Sequence, residues 1–67
     1  MEKELSKESV KTMLTHWIEH NESHSRSFLD RAAQVRAISE LAAQDIKEAA
    51  ELMDKCTEML KKAMKDL

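Results

Sequence analysis

Arg36-Ala37-Ile38-Ser39-Glu40 decides the fold, because the chain either reverses there or runs on as one helix. The segment holds no glycine or proline to break a helix, and neither type occurs anywhere in the 67 residues. Ser39 offers an N-cap ahead of Glu40, whose charge suits the positive end of a helix dipole. A helical hairpin needs only a short loop of this kind. The competing arrangement is an unbroken rod of roughly 90 Å at 1.5 Å per residue, which would need a partner along its whole length. Phe28 to Val35 and Ile38 to Ile46 do not continue one heptad phase, as a rod would want, so the hairpin is the expected fold.

Outward from the junction, both sides read as amphipathic helix. Helix 1 is expected over about 6–35, with Ser6 as N-cap, Leu5 before it and Val10 at the spacing of a hydrophobic staple. Val10, Leu14, Trp17, Asn21, His24, Phe28 and Val35 recur at helical spacing, with Met13 and Ala32 alongside. Helix 2 is expected over about 39–66. There Ala42, Ile46, Ala49, Met53, Cys56, Leu60, Ala63 and Leu67 alternate steps of four and three, the spacing of a coiled-coil seam. Leu41, Leu52 and Met59 widen the apolar stripe, so helix 2 should touch more than one neighbour. The whole chain, 1–67, is then a single all-α antiparallel two-helix hairpin. Apolar surface left over by such a pair marks an interface, and the simplest occupant is a second hairpin, giving a two-fold four-helix bundle dimer.

Composition narrows the function. A chain this short buries only about 60% of its unfolded surface, so a large private core is out of reach. One Phe, one Trp and many Ala, Leu, Glu, Lys and Met leave strand improbable. The formal net charge is −2 with acids and bases interspersed, and no basic stripe is present to neutralise phosphates, which argues against nucleic acid. Lys61, Lys62 and Lys65 fall in the last turns of helix 2, where cations suit the dipole. The single cysteine excludes an internal disulfide, and Met1-Glu2-Lys3-Glu4 has no apolar run of signal-peptide type, so a cytoplasmic location is expected. No segment approaches the roughly 18 apolar residues needed to cross a bilayer.

The chemistry-bearing stretch is His16-Trp17-Ile18-Glu19-His20-Asn21-Glu22-Ser23-His24, which places all three histidines four residues apart beside the one tryptophan. Imidazoles at that spacing lie about 6 Å apart along the axis on one face, so two of them can share a metal ion. Three cannot. His16 and His24 are about 12 Å and 80° apart, and His16 faces outward. With the turn near 36–38, the level of Cys56 falls opposite Trp17 to His20 and that of Glu51 opposite His24. The candidate metal set is therefore His20, His24 and Cys56, with His16 beside it and Glu51 or Asp54 as oxygen donors, for zinc, nickel or cobalt. The plainer reading makes His24 and Asn21 a buried polar layer that sets register and oligomeric state, Cys56 a small buried hydrophobe and Trp17 core, with a pocket wall as the sharper alternative for Trp17.

Enzyme motifs fit poorly. In His20-Asn21-Glu22-Ser23-His24 the glutamate stands one place late for a zincin, about 100° off the position of a general base. A di-iron bundle wants Glu three residues before His, where Met13, Trp17 and Asn21 stand. Cys-His catalysis lacks an orienting third group and an oxyanion cradle. The expected function is thus a non-enzymatic, self-associating accessory or interaction module with a His/Asn polar layer and no required cofactor. Its partner is a second copy, with another protein as the further class. The alternative is a transition-metal binder using helix 1.

The run Leu14-Thr15-His16-Trp17-Ile18-Glu19-His20-Asn21-Glu22-Ser23-His24, followed by Phe28 and a second Ala/Leu/Glu-rich helix, resembles small uncharacterised helical proteins of anaerobic bacteria and archaea. Their shared feature is a Trp-x-x-His-Asn-x-x-His segment. The resemblance implies a hairpin fold and a repeated polar cluster, matched here by Trp17, His20, Asn21 and His24. The glycine-free turn departs from that pattern.

Overall fold

The computed structural model describes residues 5–67; residues 1–4, whose lack of an apolar run entered the reading above, lie outside them. Two helices pack against each other as an antiparallel hairpin: α1 is Lys7–Val35 and α2 is Glu40–Lys65. Both begin where a serine can cap them. Ser6 is extended, with φ −121° and ψ 166°, and its Oγ accepts from the Ser9 amide at 3.1 Å. Ser9 Oγ accepts in return from the Ser6 amide at 2.9 Å, so a serine performs the reciprocal role usually taken by Glu or Gln. The expected staple is not made. Leu5 stays 74% exposed, and the helix start rests on the serine box.

The turn explains how a chain without glycine reverses. Among the described residues none has positive φ, so no left-handed cap is used. Instead the end of α1 tightens: the amides of Ala37 and Ile38 donate to the carbonyls of Gln34 and Val35 at 3.3 and 2.8 Å, three residues back. Ser39 then swings to φ −152°, and its Oγ accepts from the Ala42 amide at 3.0 Å to start α2. Arg36 and Glu40 approach to 3.5 Å on the outside of the turn.

The helices meet along a seam that differs from the expected one. On α1 the buried residues are Leu14, Ser25 and Ala32, interleaved with half-buried Ile18, Asn21, Phe28 and Val35. On α2 they are Ala43, Ala50 and Thr57, interleaved with half-buried Ile46, Met53, Leu60 and Met64. Each helix therefore follows the four-three alternation, but through Ile18 and Ser25 in place of Trp17 and His24. On α2 it runs through Ala43, Ala50, Thr57 and Met64 in place of Ala42, Ala49, Cys56 and Ala63. On α1 size favours the shift, since Ile18 and Ser25 are smaller than Trp17 and His24 and let the backbones approach closely; on α2 the two stripes carry the same alanines, and it is Ala43 and Ala50 that are 0% exposed.

The buried hydroxyls carry no unmet demand. Ser25 Oγ donates to Asp54 Oδ1 at 2.6 Å and lies 3.5 Å from the Ala50 carbonyl, while Thr57 Oγ1 donates to the Met53 carbonyl at 3.0 Å. No large side chain is fully buried among the described residues. The result is a slab of 50 × 25 × 14 Å, one helix thick.

Candidate functional site

The rotated seam decides what the rest of each helix presents. Leu14 and Ala32 are five turns apart and mark the side of α1 that meets α2. Counted from Leu14 at about 100° per residue, Trp17, His20 and His24 lie about 60°, 120° and 80° round the helix on one side. Counted from Ala50, Met53, Cys56 and Leu60 lie at the same offsets on α2. In an antiparallel pair these flanks turn to the same side of the slab, so Trp17, His20, His24 and Cys56 share one face, with Met53 and Leu60 at its inner edge. Trp17, His20, Asn21, His24, Cys56 and Leu60 surround a shallow concavity of about 450 Å³ in its middle.

Within it the two imidazoles are in direct contact. His20 Nε2 and His24 Nε2 are 2.7 Å apart, and the rings stack with centroids 4.5 Å apart and an interplanar angle of 24°. One Nε2 must donate a proton and the other accept it, so the pair shares one proton between those atoms. His24 also leans on Phe28, with ring centroids 6.2 Å apart. Across the groove Asn21 Nδ2 lies 3.6 Å from Cys56 Sγ, a weak contact that ties the two helices at this level.

Each expected site residue can now be placed. His20, His24 and Cys56 border one concavity, as the spacing and the turn position require. His16 lies further outward, where with Glu19 and Ser23 it lines a second concavity that His20 and His24 also border. The oxygen donors are not brought in. Asp54 turns to the other side of the seam and holds Ser25, and Glu51 sits among Glu48, Leu52 and Lys55. Both lie on the far side of α2 from Cys56, because a five- or two-residue step rotates the helix away from the cysteine face. Among the described residues, no group of three or more His, Cys, Asp or Glu side chains is gathered as a metal cage.

Three burial expectations are corrected by the same rotation. Cys56 is exposed, and Thr57 takes the buried position. His24 is exposed, and the polar layer of the hairpin is built from its neighbour Ser25. Trp17 is 45% exposed and forms a wall of the concavity. The Ser25–Asp54 pair was missed; the seven-residue step from Ser25 to Ala32 was its available signal. The opposite face of the slab is charged, with Lys61 Nζ 3.3 Å from Glu22 Oε2 across the helices.

Among the described residues no helix is long and apolar enough to cross a membrane. An uncharacterised protein of Archaeoglobus fulgidus is 35% identical to this chain over 57 residues, covering 85% of the chain and 92% of that relative. No solved structure matches the chain. A family model described as a domain of unknown function, DUF8180, matches residues 10–67, and the chain belongs to that family.

Proposed function

We propose that the protein is a non-enzymatic, self-associating helical module whose broad apolar face is covered by a second copy in a two-fold four-helix bundle. The observation that carries this reading is one side of the hairpin, where Trp17 is 45% exposed beside the half-buried Phe28, Met53 and Leu60. Such a surface on a small chain marks an interface.

The size of the missing contact favours a second copy. The hairpin exposes 5453 Å². A compact monomer of this mass would expose about 4,300 Å² by the usual scaling of area with mass. The excess is of the order of the ~800 Å² that each partner contributes to a standard interface. The radius of gyration is 15.8 Å, against about 11 Å for a compact domain of this length. Stacking two slabs face to face thickens the molecule and removes that surplus. It also encloses His24 and Asn21, so the polar layer that fixes register belongs to the contact between copies.

On this reading the Trp17, His20, Asn21 and His24 segment is the mark shared across the family. The exposed unpaired thiol of Cys56 suits a reducing cytoplasm. The one tryptophan is a built-in probe: its emission is expected to shift to shorter wavelength as protein concentration rises, and Ala49→Glu, at an exposed position of the same face, is expected to abolish that shift while helix content survives at high concentration. Emission independent of concentration in the parent chain would count against a second copy as the occupant.

A further inference from the structure

We propose that His20 and His24 form half of a transition-metal site, completed by the same two histidines of a second copy. The inference rests on the self-association reading and adds a ligand to it. Both Nε2 atoms converge on one point, 2.7 Å apart. Two nitrogens bound to one tetrahedral zinc ion at about 2.0–2.1 Å stand roughly 3.3 Å apart, so an ion enters by spreading two exposed rings by about 0.6 Å. The ring that carries its proton on Nε2 takes the Nδ1–H tautomer instead, which leaves both Nε2 lone pairs free for the metal. One hairpin offers two imidazoles and, among the described residues, gathers no third ligand around them. A closed structural site needs four.

Position supplies the other two. His20 and His24 stand about 120° and 80° round α1 from the seam, so their bisector points almost perpendicular to the slab, into the layer a partner would occupy. Along the axis they straddle the middle of the 29-residue α1. A two-fold axis that crosses α1 at right angles near its midpoint gives the fullest overlap of the two faces, with α1 antiparallel on α1. Residues at that level then meet their own copies, and four imidazoles converge. Nitrogen donors alone suit zinc, nickel, cobalt and copper over calcium or magnesium. Cys56 lies at the same level but across the groove beside Asn21, outside the four-nitrogen set.

The test is zinc titration of the metal-free full chain, followed by native mass spectrometry and thermal melting. The expected result is one zinc per two chains with a raised melting temperature. His24→Ala is expected to keep the two-chain mass and lose the zinc, and Cys56→Ser to keep both. His24 is exposed and alanine favours helix, so folding of that variant is not at risk. No zinc uptake, one zinc per single chain, or uptake unchanged by His24→Ala would overturn the proposal. A single-chain mass without metal, turning to one zinc per two chains when zinc is added, would uphold the shared site while overturning metal-independent self-association.

Discussion

The seam between the two helices and the face beside it have the same heptad spacing but opposite contents. Leu14, Ser25, Ala32, Ala43, Ala50 and Thr57 fill the seam. Trp17, His24 and Cys56 sit one step round on the face. Both rows share the half-buried Asn21, Phe28, Ile46, Met53 and Leu60 between them. The contrast teaches that hydrophobicity alone does not select which stripe a helix pairs with first. On α1 close approach takes Ile18 and Ser25, and the larger Trp17 and His24 are left for a contact that the chain does not make with itself.

Substitutions that exchange the two characters should break the contrast. Ala50→Leu puts a branched side chain where no space exists, and a cost of about 1–3 kcal/mol is expected from overpacking. Its signature is lost helicity by circular dichroism at every protein concentration. Ala49→Leu, one residue away on the open face, should keep the helix content and change the association profile instead. If both variants melted alike, the distinction between seam and face would fail.

A smaller effect sharpens the same comparison. Ser25→Ala removes a buried hydroxyl that donates to Asp54 at 2.6 Å, and about 1 kcal/mol of stability should go with it. Because that bond lies within one chain, the loss should leave the concentration dependence of melting unchanged. A Ser25→Ala melt indistinguishable from the parent would mean that the Ser25–Asp54 contact adds nothing to the pairing.

Much of the fold was legible in the residues. Ser6 and Ser39 announce the two helix starts because a side-chain oxygen must meet an orphan amide there, and helix and turn boundaries fall within a residue or two of expectation. The reversal was legible from the broken heptad phase around Ile38, although its mechanism, a tightened last turn with no left-handed residue, was not. The seam was misread because two stripes with identical spacing compete on each helix. Taking Trp17 and Cys56 as inward selects one stripe, whereas the packed pair uses Ile18, Ala50 and Thr57.

The candidate site fared according to which geometry it needed. Rise per residue set the levels correctly and brought Cys56 to the groove beside His20 and His24. Rotation about the axis was wrong by the offset between the two stripes, which is why Asp54 and Glu51 point elsewhere. The four-residue spacing of His20 and His24 needs neither, and it was readable from the chain alone.

Sedimentation equilibrium of the metal-free chain tests the central claim most directly. Twice the chain mass, falling toward the single-chain value on dilution, is the predicted result, and Ala49→Glu should hold the chain at the single mass throughout. A parent chain that stays at the single-chain mass at every concentration up to its solubility limit would contradict the account of what covers the apolar face.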